Sequence, residues 1–277
     1  MGMRYLTSLL VGLGLTLTVA HAAPVKSGKA SAELLLKHTS VPAGGSTTVA
    51  LRLVPDAGWH SYWKNPGESG MPTSIVWQLP EGLELSALRF PAPHVFDAGG
   101  VKSLGYEGEV LLLADLSIGK NVEPGVVEIK GASSWLACTN EQCIPGNADL
   151  STSVTILAAD AKPVTGPSAK LIEQAAGKLP AEGKGWSATA RRVGDKLELT
   201  IKPADGVKPD VKGLSVFVAQ QSIVTDGAPA EWNVSEGKMI GTLEVSEYLE
   251  ELPAQLDLVL VGAGHPHGVE VKCVTQK

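Results

Sequence analysis

The sequence predicts an all-β protein in which one antiparallel β-sandwich is followed by a second, smaller β-sandwich. Residues 46–54 (STTVALRLV) alternate between polar and apolar side chains, and this alternation, which is typical of half-buried strands, recurs along the chain. Turns rich in Gly and Pro, such as residues 42–45 and 123–125, separate these segments at intervals of roughly ten residues, as in sandwiches. Only residues 168–180 have the pattern of a helix.

Further segments with strand character occur in both halves of the chain. In the first half they are SIVWQL (74–79), EVLLLADLSI (109–118), VVEIKGASSWLAC (126–138) and ADLSTSVTILAA (148–159). In the second half they are WSATARRV (186–193), KLELTIKPA (196–204), LSVFVAQQSIV (214–224), GKMIGTLEV (237–245), QLDLVLVGAG (255–264) and GVEVKCVTQ (268–276). The single helix is expected to begin at an N-cap on Ser168 and to end at Pro180.

A linker divides the predicted strands into two groups. Residues 159–168 (ADAKPVTGPS) consist largely of Pro, Gly and small residues, which is typical of a connection between domains. We therefore expect a first domain over residues 23–160, a linker with a short helix over 161–180, and a second domain over 181–277.

The first 22 residues have the parts of a secretory signal peptide. A start that contains Arg4 is followed by an apolar run and by the small-residue pattern Ala20-His21-Ala22. Cleavage is expected before Ala23, with cleavage after Ala23 as the alternative, and an uncleaved N-terminal anchor is the other interpretation. No later segment approaches the roughly 20 apolar residues of a membrane span, so we expect an exported protein without stable membrane insertion.

Composition excludes some functions and leaves others without support. The net charge is −6, whereas binding to nucleic acid depends on clustered Lys and Arg, so no nucleic-acid partner is expected. Neither a phosphate-binding Gly loop nor a catalytic spacing of Ser, His and Asp stands out, and no cofactor is expected.

Cys138 and Cys143 are two of only three cysteines. The four residues between them permit the Cα separation of under about 7 Å that a disulfide requires. Closing so short a loop removes only roughly 2 kcal/mol of unfolded-state entropy, which makes a weak staple. The polar Glu141 and Gln142 indicate a solvent-facing loop that a partner thiol can reach. From these residues alone, an inert structural disulfide, a redox couple and, with less support, a zinc or copper site all remain open.

An aromatic cluster and a pair of residues near it are further candidates. On a strand, His60 and Tyr62 point to the face opposite Trp59. These residues either pack in the core or shape a pocket around the cysteines. Tyr106 and Glu107 have the same two interpretations, as packing and turn residues or as neighbours of the cysteine pair.

The C-terminal segment HPHGVEVKC contains weak candidates for a metal site. His265, His267 and Cys273 have side chains that bind copper. On a strand, however, Val269, Val271 and Cys273 share one face, which favours a buried, inert thiol. Pairing of Cys273 with another chain is the third interpretation.

Three blocks resemble, in the same order, the N-terminal periplasmic domain of the DsbD family of disulfide reductases and its ScsB branch, which acts in copper tolerance. They are GWHSYWKNPGESGMPTSIVWQLPEG (58–82), FPAPHVFDAGGVKSLGYEGEVLLLADL (90–116) and WLACTNEQCIPGNADLS (135–151), and they cover most of residues 29–157. VFVAQQSIVTDGAPAEWNV (216–234) resembles the second periplasmic domain of the ScsB branch.

The resemblance implies an immunoglobulin-like fold with the cysteine pair on an inserted hairpin. It implies that the domain takes two electrons from a membrane-embedded disulfide reductase and gives them to oxidised periplasmic thioredoxin-fold proteins. Cys143 would join the partner in a mixed disulfide and Cys138 would resolve it. In the DsbD branch a cap loop with acidic residues and an aromatic shields the pair, and the matching loop here, residues 93–102, contains Phe96 and Asp97.

These considerations define a candidate redox pocket and a predicted function. The candidate pocket residues are Trp59, His60, Tyr62, Phe96, Asp97, Tyr106 and Trp135. We expect a periplasmic thiol–disulfide interchange protein, with a role in cytochrome c maturation as a further implication of the resemblance. The family's membrane and thioredoxin-like domains have no counterpart in the sequence, so electrons would come from a separate protein, and whether the protein is itself an enzyme stays open. The alternatives are a non-catalytic binding or assembly module and a copper-handling protein.

Overall fold

The computed structural model describes residues 23–225, 231–262 and 264–276, so the predicted signal peptide lies outside the described residues. The regular secondary structure of the described chain is β-strand except for one helix, as predicted. The strands up to residue 157 are β1 Val25–Ser27, β2 Ala30–Leu36, β3 His38–Pro42, β4 Ser46–Pro55, β5 His60–Gly67, β6 Ser74–Gln78, β7 Leu83–Leu85, β8 His94–Ala98, β9 Val101–Glu107, β10 Val110–Ile118, β11 Gly125–Cys138 and β12 Cys143–Leu157. The later elements are β13 Val164–Thr165, α1 Ala169–Ala176, β14 Ala181–Glu182, β15 Ser187–Val193, β16 Lys196–Lys202, β17 Ser215–Val218, β18 Glu231–Ser235, β19 Lys238–Glu244, β20 Gln255–Gly262 and β21 His265–Gln276.

The first domain is a sandwich of two sheets. One sheet has the strand order β1-β2-β4-β10-β7, and the other has the order β13-β3-β12-β11-β5-β9-β8, with β6 paired to β11. The two sheets bury apolar side chains in a shared core, for example Leu51 and Leu112 from the first sheet and Ile129 and Trp135 from the second. The sandwich predicted from the alternation of polar and apolar residues is therefore confirmed.

A long hairpin, β11–β12, positions the cysteine pair. Its strands run side by side from the pair Gly125–Ile156 to the pair Cys138–Cys143. At its far end the hairpin adjoins β5, through the antiparallel pair Cys138–His60. The cysteines thus lie where the hairpin, β5 and the neighbouring strand β9 come together.

The segment between the two strand groups packs on the first domain. β13 pairs with β3, and α1 buries Ile172 against Leu35, Leu111 and other apolar residues on the outer face of the first sheet. The helix predicted from the sequence is present, although Ser168 makes no side-chain capping hydrogen bond. The limits of the two domains and of the linker stay a prediction. Within the described part of the chain there is no helix with the length and hydropathy of a membrane span.

The second group of strands forms one continuous sheet over its own core. The strand order is β17-β20-β21-β15-β16-β19-β18, with β14 paired to β21. Leu199, Ile201, Leu256 and Cys273 are fully buried in that core. The β-structure predicted for this half is confirmed. Alternation alone did not reveal that its strands join in a single sheet, because the parallel pair β15–β21 links segments that lie far apart in the sequence.

Candidate functional site

The candidate site lies at the end of the β11–β12 hairpin, where Cys138 and Cys143 form a disulfide. The two residues are direct partners across the hairpin, and their Cα atoms are 4.1 Å apart. Cys138 is only 1 % exposed, whereas Cys143 is solvent-exposed. The two sulfurs therefore differ in the access that they offer to another protein.

The connecting loop, residues 139–142, is organised by Thr139. Its hydroxyl oxygen accepts hydrogen bonds from the backbone N–H groups of Glu141 at 3.2 Å and Gln142 at 3.3 Å. Its own N–H donates to the carbonyl oxygen of Gln142 at 2.9 Å. Thr139 was not among the residues predicted for the site, although a hydroxyl residue at the start of a tight loop is a known signal for this turn.

A cavity of about 220 Å³ lies beside Cys143. Its aromatic lining consists of His60, Tyr62 and Phe96, and much of the remainder comes from the loop 139–142. The Tyr62 hydroxyl oxygen is 3.9 Å from the Cys143 sulfur. Three of the residues predicted for the redox pocket are thus brought together next to the exposed sulfur.

The segment matched to a cap loop is a hairpin, β8–β9, whose tip is formed by Gly99 and Gly100. Both glycines have positive φ, 67° and 97°, a conformation that favours glycine in tight two-residue turns. Phe96 on β8 stacks on the His60 ring, with the ring centroids 4.3 Å apart and the planes 10° from parallel. The hairpin therefore places an aromatic ring at the cavity.

His60 is a buried histidine, with 7 % of its surface exposed. Burial lowers its pKa below the ordinary value, and the Coulombic attraction of Glu107 partly opposes that shift. Its Nε2 atom is buried without a hydrogen-bond partner among the described residues. The Tyr62 ring meets the His60 ring edge-on at 5.2 Å, and burial raises the pKa of Tyr62. The imidazole is thus held in a mainly apolar setting next to the sulfurs.

Trp59 and Tyr106, which were also predicted for the pocket, lie outside the cavity lining. The Lys29 ammonium lies 5.4 Å from the centre of the Trp59 ring. The Tyr106 hydroxyl donates a hydrogen bond of 2.7 Å to the carbonyl oxygen of Pro91, and burial raises the pKa of Tyr106 well above its ordinary value. Neither side chain lines the cavity beside Cys143.

Asp97 and Trp135 have structural contacts of their own. The Asp97 carboxylate accepts a hydrogen bond of 2.8 Å from the N–H of Gly100 and so closes the tip of β8–β9. Trp135 is fully buried in the core, and its ring lies so close to Gly146 that a Cβ there would come within 2.3 Å of it. Neither residue lines the cavity beside Cys143.

The three C-terminal candidates for a metal site are not brought together. The His265 ring meets the Trp186 ring edge-on at 5.6 Å, and His267 is exposed. Cys273 is fully buried, and burial raises its pKa to about 11, in agreement with the prediction of a buried thiol. Among the residues that the structure describes, no group of three or more His, Cys, Asp or Glu side chains is arranged to hold a metal ion.

Fold and site together define a class: an all-β protein that presents an intramolecular disulfide at the end of a hairpin. Residues 32–155 match the family model described as "Thiol:disulfide interchange protein DsbD, N-terminal". These residues form a domain of the DsbD N-terminal family. No curated protein sequence matches the chain.

Comparison with solved structures gives one match with a high TM-score among the three described next. The N-terminal periplasmic domain of ScsB from Proteus mirabilis has a TM-score of 0.67 at 16 % identity, over 94 % of this chain and 100 % of that one. This likeness shows a shared fold across both domains. A protein of unknown function from Porphyromonas gingivalis W83 has a TM-score of 0.28 at 11 % identity, over 89 % of this chain and 100 % of its own. Domains D2 and D3 of the pilin SpaD from Corynebacterium diphtheriae reach 0.29 at 10 % identity, over 86 % and 88 %. TM-scores this low do not establish a shared fold.

Proposed function

We propose that the protein is a periplasmic thiol–disulfide interchange protein whose working couple is Cys138 and Cys143. In this proposal the reduced pair passes two electrons to oxidised thioredoxin-fold proteins and is reduced again by a membrane-embedded disulfide reductase. The unequal exposure of the two sulfurs is the observation that carries the proposal, because exchange needs one sulfur that a partner can reach and a second one behind it.

The exchange proceeds in two balanced steps. First, the Cys143 thiolate attacks one sulfur of the partner's disulfide, which forms a mixed disulfide and releases the partner's other sulfur as a thiolate. Second, Cys138 attacks the Cys143 sulfur, which closes the Cys138–Cys143 bond and releases the partner's remaining sulfur. The partner gains the two electrons that the pair loses. The exposure of Cys143 supports its role as the attacking residue, and the family supports the same order.

A structural role explains the pair less well. The closed loop is short, so its disulfide adds only roughly 2 kcal/mol through the unfolded state. The core between the two sheets, and the apolar cluster between α1 and the first sheet, already hold the domain together. Neither observation explains why one sulfur lies at the surface beside a cavity. A copper-handling function lacks an assembled set of ligands in the described ranges.

Two measurements on the purified protein test the proposal. The Cys138–Cys143 couple should have a reduction potential above about −300 mV, the upper end for structural disulfides. Cys138→Ser should accumulate a mixed disulfide with an oxidised thioredoxin-fold protein, visible as a covalent conjugate that a reductant cleaves. The matched variant Cys143→Ser leaves only the buried thiol and should form none. A potential far below that limit, together with no conjugate from Cys138→Ser, would overturn the proposal in favour of a structural disulfide.

The periplasmic location has a test of its own. It is supported by the signal peptide predicted over residues 1–22 and by the family. Expression of the full chain in a Gram-negative host, followed by fractionation and N-terminal sequencing, should yield a periplasmic protein that begins near Ala23. Retention of residues 1–22 would contradict cleavage.

A further inference from the structure

A row of four side chains crosses the sheet at the site. Cys143 on β12 is paired with Cys138 on β11, Cys138 is paired with His60 on β5, and His60 is paired with Glu107 on β9. Residues that lie directly opposite each other in antiparallel strands point to the same face, with Cβ atoms about 4.5–5.5 Å apart. The sheet therefore aligns two thiol groups, an imidazole and a carboxylate in that order.

We propose that His60 accepts the proton of the Cys138 thiol when Cys138 resolves the mixed disulfide, and that Glu107 stabilises the resulting imidazolium. This inference rests on the proposed function and assigns a proton acceptor to its second step. The order of groups along the row, thiol then imidazole then carboxylate, is the arrangement that activates nucleophilic cysteines in general.

The resolving thiol needs such an acceptor because of where it lies. Only the thiolate attacks a disulfide, and a thiol of ordinary pKa, about 8.5, is only about 3 % ionised at pH 7. Cys138 is 1 % exposed. Bulk water and buffer bases have little access to this atom. A neighbouring imidazole can remove the proton at the moment of attack.

His60 has the properties that this role requires. Burial lowers its pKa, which keeps the ring neutral and able to take a proton at neutral pH. Its Nε2 atom has no hydrogen-bond partner among the described residues, so that nitrogen is not already committed elsewhere. The stack with Phe96 and the edge contact with Tyr62 hold the ring in one orientation. A ring that is buried, oriented and unpartnered is poised for proton transfer.

The charged and titratable groups around His60 favour the same step. Glu107 faces it from β9 and attracts its positive form. Tyr62 lies on its own strand, and Glu141 lines the same cavity from the loop. On β8, the Asp97 carboxylate is bound to the N–H of Gly100. Glu107 is thus the carboxylate aligned with the ring across the strands.

The proposed step balances in atoms and electrons. The Cys138 proton moves to His60 while the Cys138 sulfur attacks the Cys143 sulfur. The bond between Cys138 and Cys143 forms, and the bond between Cys143 and the partner breaks. The electron pair of that bond leaves on the partner's sulfur, and the imidazolium gives up its proton to that sulfur or to water. His60 returns to its neutral form.

An aromatic disulfide separates the two steps of the reaction in one experiment. Reduced protein in a Cys273→Ala background is mixed with dithiobis(nitrobenzoate), and the coloured thiol is followed by stopped flow. The first equivalent reports attack by Cys143, and the second reports resolution by Cys138. His60→Gln should slow the second phase about tenfold at pH 7, within the limit of about 30-fold set by 3 % ionisation. The difference should disappear above about pH 9.5, where thiols ionise unaided.

Further variants distinguish proton transfer from a loss of structure. His60→Phe keeps an aromatic ring against Phe96 and should show the same pH-dependent slowing. Glu107→Gln changes an exposed residue. The rate of its second phase should begin to rise at a lower pH than in the parent protein, and this phase should be slowed less than in His60→Gln. Glu84→Gln removes an exposed carboxylate on β7, in the other sheet of the sandwich, and should leave the second phase within about twofold of the parent protein.

Each outcome bears on one proposal alone. If both phases occur and the second keeps its rate and pH profile in His60→Gln and His60→Phe, the role of His60 is wrong and the proposed function stands. Slowing by the same factor at every pH in both variants would also overturn it, because a packing defect has no pH-dependent signature. If Glu84→Gln matches Glu107→Gln, the part assigned to Glu107 is wrong. If the parent protein shows no first phase, the proposed function itself fails.

Discussion

The side-chain amide of Asn65 donates a hydrogen bond of 2.9 Å to the backbone carbonyl oxygen of Val218 in the second group of strands. A second bond crosses nearby, from the Gln221 amide to the carbonyl oxygen of Lys64 at 3.2 Å. Both Lys64 and Asn65 belong to β5, the strand that also carries His60 to the cysteines. The strand that lines the candidate site is thus attached to the second half of the protein.

Replacing Asn65 with alanine should weaken this attachment. Asn65 is 1 % exposed, and its Oδ1 atom also accepts a hydrogen bond of 3.1 Å from the N–H of Gly67. The substitution leaves buried polar groups without partners, so we expect the free energy of unfolding to fall by about 1–3 kcal/mol. Urea unfolding measures it, with the exposed Asn121→Ala as a control that changes stability by less than about 0.5 kcal/mol. Equal stability of the two variants would contradict the prediction.

Removing the Phe96 ring should make the disulfide easier to reach. The ring stacks on His60 at 4.3 Å and lines the cavity beside Cys143. In Phe96→Ala we expect reduction by dithiothreitol to speed up roughly threefold or more, since exchange rates depend on access to the sulfur. Val95→Ala, which changes the exposed neighbouring residue on the opposite face, serves as the control. A rate that is unchanged or lower in Phe96→Ala would show that the ring does not limit access.

The stability of the protein should depend on pH through His60. Above the ordinary histidine pKa of about 6.5 the ring is neutral in both the folded and the unfolded chain. Below that pH the unfolded chain takes up a proton that the folded chain does not, because burial lowers the pKa of His60. The free energy of unfolding therefore falls as the pH decreases, until the folded pKa is passed. His60→Gln should show a shallower decline between about pH 7.5 and about pH 5 in urea unfolding. Identical slopes would rule out this contribution.

The sequence predicts best those strands that have one face in the core. The β11–β12 hairpin and most of β4 alternate between buried and more exposed positions, and their segments are recognisable from that pattern alone. β5 is different, because residues 60–63 are buried on both faces and show no alternation. The same stretch therefore appears in the sequence only as an aromatic cluster. Its position beside the cysteines depends on pairing with β11 and β9, which no local pattern specifies.

The candidate site was predictable only in part, because strand periodicity gives the face of each residue but not the pairing between distant strands. Strand periodicity separates Trp135 from Cys138, since residues three apart on a strand point to opposite faces, and the structure has Trp135 in the core. The contact of Phe96 with His60 follows from the β8–β9 hairpin, which the sequence analysis interpreted as a loop. The different exposure of Cys138 and Cys143 also requires the tertiary structure, because it depends on which strand flanks each residue.

The buried thiol of Cys273 should be unreactive in the folded protein. It is fully buried, and burial raises its pKa to about 11, so the reactive thiolate is scarce at neutral pH. We expect iodoacetamide to leave the oxidised native protein unlabelled and to add a single label after unfolding in urea, as mass spectrometry would show. Rapid labelling of native protein, or a dimer linked through Cys273, would contradict the buried position.

Gly105 should be essential for the alignment of β5 with β9. A Cβ atom at Gly105 would lie 1.9 Å from the carbonyl oxygen of Ser61, a backbone atom that cannot move without separating the strands. Gly105→Ala should therefore cost about 1–3 kcal/mol of stability by overpacking. It should also slow disulfide exchange at the site, because β5 carries His60 and Tyr62 next to Ser61. The control is Gly177→Ala at the end of α1, where φ is −67° and a new Cβ would lie 3.6 Å from the carbonyl oxygen of Gln174, so stability should stay the same or rise by about 0.4–1 kcal/mol. If the two variants unfold at the same urea concentration with equal exchange rates, the close approach of β5 and β9 does not maintain the site.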